Sequence, residues 1–309
     1  MERGMRKVVV VTMRTRLEEL KIRYNTTEQA KFYIEHMGQA FDDYIAEDEK
    51  YREAVKAVSM AAEKDCRLQI IDRSFVPNMI FGVDDIVVCV GRDGLIANTM
   101  KYLDRQPLIG INPDPARWDG VLLPFEAEEA GDILQKVYAG AFNEKRITMA
   151  KAVCHDGQEM LAVNDLFIGC KSQISARYTI WDGERSEKQS SSGIIVSTGL
   201  GSTGWMKSVI TQMCMMAKSF GIDGLSYTPV GWEEDRLRFV VREPFPSVAT
   251  KADIVFGDIT DQKGIRIVSD IQTGGVIFSD GMEADAIEFN SGNEVNIGIA
   301  ENKGHLVTA

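Results

Sequence analysis

A chain of 309 residues with 35 Lys and Arg against 46 Asp and Glu carries a net charge of −11, which excludes the basic surface that non-specific nucleic-acid binding requires. Hydrophobic residues make up 44%, enough for a packed core and too many for a disordered chain. No apolar run approaches the roughly 20 residues of a membrane span, so no membrane association is expected. The five cysteines (Cys66, Cys89, Cys154, Cys170 and Cys214) form no CxxC pair and the three histidines are scattered, so a zinc site is not expected and the thiols read as reduced and buried in a cytoplasmic protein.

Met1-Glu2-Arg3-Gly4 shows no signal-like apolar segment and leads into residues 7–12 (KVVVVT), predicted as a strand buried on both faces. After a charged stretch, residues 26–37 and 41–64 are predicted helices; in the second, Tyr44, Tyr51, Val55, Val58 and Met60 read as core packing. Strands are predicted over residues 67–72 (RLQIID) and 86–90 (IVVCV), and the latter runs directly into Gly91-Arg92-Asp93-Gly94 and a helix over 95–103. A strand over 107–111 leads to Asn112-Pro113-Asp114-Pro115, and a helix over 127–142 closes this half. Alternating strand and helix signals predict an α/β N-terminal domain with an open, mostly parallel sheet.

From about residue 147 the texture changes to successive strands: 148–154, 159–168, 176–181, 193–198, 237–242, 252–256, 264–268, 275–278, 286–289 and 294–299. Asp182-Gly183 signals a hairpin, and residues 204–220 give the one clear helix. This half is predicted as a β-rich C-terminal domain, a sandwich or folded-over sheet. The expected division is 1–145 and 146–309, with the last stretch, about 20 residues, free to pack back on the first domain.

Three segments carry candidate chemistry. Gly91-Arg92-Asp93-Gly94, at a strand-to-helix turn, offers backbone N–H groups and a helix N-terminus to an anion. The carboxylate in it fits either a proton acceptor or metal holder, or a plain cap on the next helix. Ser197-Thr198-Gly199-Leu200-Gly201-Ser202-Thr203-Gly204-Trp205 supplies glycines and hydroxyls suited to phosphate or ribose, without the Lys of a Walker A loop; a capped β-to-α turn is the plain alternative. Asn164-Asp165 interrupts the apolar run LAVNDLFI, so the pair needs internal partners, a ligand, or a strand end. An acidic chain that binds polyphosphate must also gather positive charge locally.

Taken together, these segments resemble the NAD kinase family. There the corresponding motifs read Gly-Gly-Asp-Gly, Asn-Glu and Gly-Ser-Thr-Ala-Tyr. The likeness is closer to the mitochondrial-type branch, through Asn112-Pro113-Asp114-Pro115, Asn164-Asp165-Leu166-Phe167, Ser191-Ser192-Gly193 and Phe278-Ser279-Asp280-Gly281. The resemblance implies an α/β domain, a β-rich domain and a site between them. It also implies transfer of the γ-phosphoryl group of ATP to the 2′-hydroxyl of the adenosine ribose of NAD, with Mg2+ or another divalent cation, by a homodimer. By the same resemblance Asp93 accepts the hydroxyl proton, Gly91, Arg92 and Gly94 meet phosphate, Asn164 and Asp165 bind the dinucleotide, and Ser202, Thr203 and Gly204 line the adenine and ribose pocket. Arg92 replaces a Gly, at a cost of about 1–2 kcal/mol if the position needs φ > 0. Leu95 stands where Thr is usual, Asp165 for Glu, and Gly204-Trp205 for Ala-Tyr. These departures keep two alternatives open: a non-catalytic NAD(P)-binding member, and a same-fold kinase for a lipid or sugar hydroxyl.

Overall fold

The computed structural model describes residues 6–64 and 66–309, so Met1-Glu2-Arg3-Gly4 lies outside the described residues. The chain divides into two compact units, one running to Lys145 and completed by His305–Ala309, the other Arg146–Gly304.

The first unit contains β1 (Lys7–Thr12), α1 (Arg16–Tyr24), α2 (Thr27–His36), α3 (Asp42–Glu63), β2 (Arg67–Asp72), β3 (Ile86–Val90), α4 (Asp93–Met100), β4 (Leu108–Asn112), β5 (Phe125–Glu126), α5 (Ala130–Ala139) and β6 (Asn143–Ile147). Its sheet runs β2-β1-β3-β4 with every neighbouring pair parallel; β19 (Gly304–Thr308) then adds parallel to β4, β6 follows, and β5 pairs with β4. Val8, Val9, Val10 and Val11 are fully buried, as expected of a strand covered on both faces. Ala54, Val58 and Ala62 of α3 and Ile133, Leu134 and Val137 of α5 pack against one face of the sheet. The helix α1 falls in the stretch that reads only as charged. Its start is a capping box: the Thr15 side chain accepts from the Glu18 N–H while the Glu18 carboxylate accepts from the Thr15 N–H.

The second unit contains β7 (Ala150–Cys154), β8 (Glu159–Ala162), β9 (Asp165–Cys170), β10 (Ala176–Asp182), β11 (Arg185–Ser191), β12 (Ile194–Ser197), α6 (Trp205–Ser219), β13 (Arg236–Val241), β14 (Phe256–Thr260), β15 (Ile265–Ser269), β16 (Gly275–Ser279), β17 (Met282–Glu288) and β18 (Glu294–Ile299). They form two six-stranded sheets, β11-β10-β15-β18-β7-β8 and β14-β13-β12-β9-β16-β17. Alternate residues of both, among them Ala152, Tyr178, Ile267 and Ile297 from one and Leu166, Ile168, Phe239 and Ile277 from the other, share one core. The residues between them on β9 and β12, Phe167 and Ile195, point the other way and meet Met206 and Ile210 of α6.

Two expectations need correction, and one strand carries no hydrophobic signal in the sequence. The strand expected over 159–168 is two strands, broken at Val163-Asn164. Residues 252–255 are not strand; β14 begins at Phe256. The polar segment RSEKQSS is β11, paired with β10 across a hairpin in which Gly183 has φ 63°. It escapes hydrophobic patterning because Glu187 and Gln189 turn inward, where Glu187 accepts from the Gln189 side chain and from the N–H groups of Asp253 and Ile254. None of the five cysteines is in a disulfide; four are buried and Cys214 is half-buried. Among the described residues no helix is long and apolar enough to cross a membrane.

Candidate functional site

In the first unit the candidate residues stand at the C-terminal edge of the parallel sheet, where open α/β sheets present ligands. Gly91 follows β3 directly, and its N–H donates to the Ile111 carbonyl at 3.2 Å, tying it to β4. A Cβ at Gly91 would stand 2.8 Å from the Met13 sulfur and 3.0 Å from a Leu95 methyl, so any larger residue there must displace the Met13 side chain. Tyr51 of α3 locks the same edge: its hydroxyl accepts from the Met13 N–H at 2.7 Å and donates to the Val90 carbonyl at 3.1 Å. A tyrosine that reads as core from its spacing is thus a clasp between the ends of β1 and β3, and burial pushes its phenol far above its ordinary range.

Arg92 has φ −118° and ψ 164°, extended backbone open to any residue, so the strain considered for an Arg at this position does not arise. Its guanidinium lies over the Trp118 ring, 5.1 Å from the centroid. We expect Arg92→Gly to lower stability by about 0.5–1.5 kcal/mol, from the lost cation–π contact and the greater freedom of Gly, as read by urea denaturation; a gain in stability would show that the arginine is strained after all. Leu95 is buried at 3% exposure beneath Gly91, where the missing Thr hydroxyl is replaced by packing, and neither departure takes anything from Asp93.

Asp93 opens α4. It does not cap that helix; its Oδ1 accepts from the Leu122 N–H at 2.8 Å, and Oδ2 makes no hydrogen bond among the described residues. The loop that supplies this N–H is itself braced. Asn112 donates from Nδ2 to the Trp118 carbonyl at 2.9 Å and accepts from the Asp114 N–H at 3.1 Å. Asp114 pairs with Lys50 and Arg117, and Arg117 reaches on to Asp43 through two hydrogen bonds of 2.7 and 3.0 Å. Burial works against charge on Asp114, but Lys50 and Arg117 outweigh it and hold the carboxyl below its usual range. Gly94 is exposed, with nothing within 4 Å of where a side chain would begin.

A cavity of about 890 Å³ opens at the same edge, beside β1, β2 and α3. Arg14, Lys21, Arg52 and Lys56 line it, against Glu18 and Asp72. Arg52 is engaged by Glu18 and Asp48, whereas Arg14, Lys21 and Lys56 form no salt bridge among the described residues. Met13, Arg14 and Tyr51 also line the smaller recess that contains Gly91 and Arg92. This is local positive charge of the kind an acidic chain needs for an anion.

In the second unit, Asn164-Asp165 and the glycine-rich turn are interwoven. The Thr198 N–H donates to the Asn164 carbonyl at 2.9 Å, and the Thr198 hydroxyl donates to the Val163 carbonyl at 2.5 Å. A Cβ at Gly201 would collide with the Asn164 carbonyl oxygen, which is why the turn carries Gly there. The Asn164 carboxamide makes no hydrogen bond among the described residues. Asp165 Oδ1 is enclosed without any hydrogen-bond partner. Burial, opposed by the Ser197 hydroxyl and helped by the charge of Asp280, pushes the Asp165 carboxyl up to about 7.

Ser202 is fully buried; its hydroxyl donates to the Gly199 carbonyl at 2.6 Å and accepts from the Val230 N–H at 3.1 Å. The expectation that its side chain lines a ligand pocket is corrected: it holds the turn, and Thr203 and Gly204 are the exposed members. Trp205 stacks on Phe167 with centroids 5.7 Å apart, and Arg242 lies over it at 5.5 Å. From the sequence Tyr51 reads only as core, Leu122 carries no signal, and Asp280 enters only through the Phe278-Ser279-Asp280-Gly281 likeness and its turn signal.

The class these features define is that of two-domain chains joining a parallel α/β unit, with a Gly-x-Asp-Gly turn after its third strand, to an antiparallel β-sandwich. No family model matches the chain. An NAD kinase of Chlorobium phaeobacteroides is 31% identical over 195 residues, which span 62% of this chain and 60% of that protein's length. The human protein called NAD kinase 2, mitochondrial, is 25% identical over 315 residues, 77% of this chain and 70% of that one. The crystal structure of yeast NADH kinase complexed with NADH matches 99% of this chain and 84% of its own with a TM-score of 0.61, at 14% identity, a likeness of fold. The chain is thus similar to NAD kinases, over 62% of its length in the first case and 77% in the second.

Proposed function

We propose that the protein transfers the γ-phosphoryl group of ATP to the 2′-hydroxyl of the adenosine ribose of NAD, giving NADP. The observation that carries the reading is Asp93: a carboxylate at the C-terminal edge of a parallel sheet, one oxygen fixed by the Leu122 amide and the other free to accept a proton. The ribose hydroxyl is a weak acid and phosphoryl transfer is loose, so Asp93 acts mainly by aligning the hydroxyl and taking its proton as the bond to phosphorus forms. Asn164 and Asp165 hold the dinucleotide through the unengaged carboxamide and the unpartnered oxygen. Thr203 and Gly204 face the adenine and ribose. Gly91, Arg92 and Gly94 leave the approach to Asp93 open to phosphate.

The donor's polyphosphate fits the cavity lined by Arg14, Lys21 and Lys56. Among the described residues no group of three or more His, Cys, Asp and Glu could hold a metal ion. A divalent cation such as Mg2+, held chiefly by the donor's own phosphates, would supply neutralisation of charge on the leaving group. A homodimer in a reducing, cytoplasmic setting belongs to the same reading. The exposed Met213, Met215, Met216 and Phe220 are the apolar surface such a pairing would bury, and the unpaired thiols suit the compartment.

The test is direct: purified protein with MgATP and NAD should form NADP, detected by an NADP-specific coupling enzyme. Absence of both NADP formation and any rise in melting temperature with NAD would overturn the reading. Arg14→Ala should raise KM for ATP about tenfold, the loss of one charge-assisted hydrogen bond, while KM for NAD stays within about twofold. Equal effects on both substrates would remove the cavity from donor binding.

A further inference from the structure

We infer that Asp280 is the positioning residue of the dinucleotide site: its carboxylate fills a nest of successive backbone amides at Val163, Asn164 and Asp165 and so fixes where the two side chains that meet the ligand point. The inference rests on the proposed role of Asn164 and Asp165. Asp280 Oδ1 accepts from the Asn164 N–H at 2.7 Å and from the Asp165 N–H at 3.2 Å, and both oxygens accept from the Val163 N–H, at 3.2 and 3.1 Å. The Asp280 N–H returns a hydrogen bond to the Asp165 carbonyl at 3.0 Å. Converging amides of this kind bind anions. Here the anion is internal, which explains why the run 159–168 breaks into two strands where its sequence reads as one.

The turn that delivers the carboxylate is costly to build. Asp280 and Gly281 are the two residues between β16 and β17, with φ of 53° and 73°, the pattern of a tight two-residue hairpin. Gly would fit the first position without strain, yet Asp stands there in the left-handed region, which L side chains disfavour. Because β16 lies beside β9, with Ser279 opposite Leu166, the hairpin tip meets the start of β9. The charge also acts at a distance: it disfavours ionisation of Asp165, whose other titratable neighbour, Tyr227, is held neutral by burial.

The experiment compares Asp280→Gly, Asp280→Asn and Asn164→Ala with wild type. Asp280→Gly keeps the turn and removes the carboxylate. It should raise KM and Kd for NAD about tenfold, with kcat and KM for ATP within about threefold. Asp280→Asn keeps an acceptor and should recover most of the NAD affinity, while moving the midpoint of the Kd–pH profile to lower pH, since the charge beside Asp165 is gone. Wild-type NAD affinity in Asp280→Gly, with Asn164→Ala weakened, would overturn the inference and leave the site reading intact. Unchanged affinity in both would overturn the site reading itself. Equal losses toward NAD and ATP in Asp280→Gly, with no pH displacement in Asp280→Asn, would mark Asp280 as merely structural and also overturn it.

Discussion

Asp93→Asn should lower kcat at least about a hundredfold, a loss of about 2.7 kcal/mol of transition-state stabilisation, while leaving the NAD dissociation constant within about twofold. The structure makes this substitution more informative than removal of the side chain. Asparagine retains an oxygen for the Leu122 N–H, so the loop braced by Asn112 and Asp114 stays docked and α4 begins where it did. What changes is the second position, where an acceptor becomes an N–H donor that can neither take the ribose proton nor accept its hydrogen bond. Asp93→Ala would confound the two effects by leaving the Leu122 amide unpaired. Turnover, NAD titration calorimetry and a melting curve on the same preparation separate them. Wild-type turnover in the Asn variant would remove Asp93 from the reaction.

What the sequence discloses follows from which forces leave a one-dimensional trace. Burial on both faces leaves a run of β-branched residues, so β1 and β3, and with them the edge that carries Gly91 and Asp93, are legible. Alternation discloses most of the sandwich strands. Devices that depend on one polar group meeting another far along the chain leave none. The partner of Asp93 is a backbone N–H 29 residues away, and the carboxylate that shapes Asn164-Asp165 is 116 residues from Asn164. β11 hides because its inward side chains are Glu187 and Gln189, satisfied by each other, by Tyr178, and by backbone groups more than sixty positions on. Motif likeness groups residues together without showing the division of labour among them. Ser202 shares a motif with Thr203 and Gly204, yet its hydroxyl is consumed by the turn.

The same division explains why local charge matters more than the total. The net charge of −11 says nothing about the sheet edge, where Arg14, Lys21 and Lys56 line one cavity without salt bridges to neutralise them. The acids nearby are largely committed: Asp43, Glu47 and Asp114 brace the loop behind Asp93 through Arg16, Arg117 and Lys50. Paired carboxylates on the scaffold leave the unpaired cations as the field an incoming polyphosphate meets.

Asp165 is where the site is held against stability, and its substitution should show it as a pH effect. The carboxyl is raised from its ordinary value of 3.8 to about 7 in the folded chain. A raised carboxyl favours the folded state fully below the unfolded value, and that contribution is lost as pH rises through the folded value, because the unfolded chain gives up the proton first. Across about three pH units this amounts to about 4 kcal/mol, an upper bound since the residue retains some solvent contact. Wild-type stability should therefore fall between pH 4 and pH 7, in the window that this one residue sets, by up to that amount. Asp165→Asn cannot ionise and should flatten the curve. At pH 8 the variant should be more stable than wild type, by about 4 kcal/mol less the roughly 1–3 kcal/mol cost of enclosing an unpaired amide. At pH 5 the advantage should vanish or reverse. On the proposed role of Asp165 in binding the dinucleotide, NAD affinity should fall in the same variant at every pH, since one of the two carboxyl oxygens becomes an N–H donor that cannot accept from the ligand. Urea denaturation from pH 4 to 8 on both proteins is the measurement, and parallel stability–pH curves would show that Asp165 is ionised throughout and that its burial is compensated by something other than ligand.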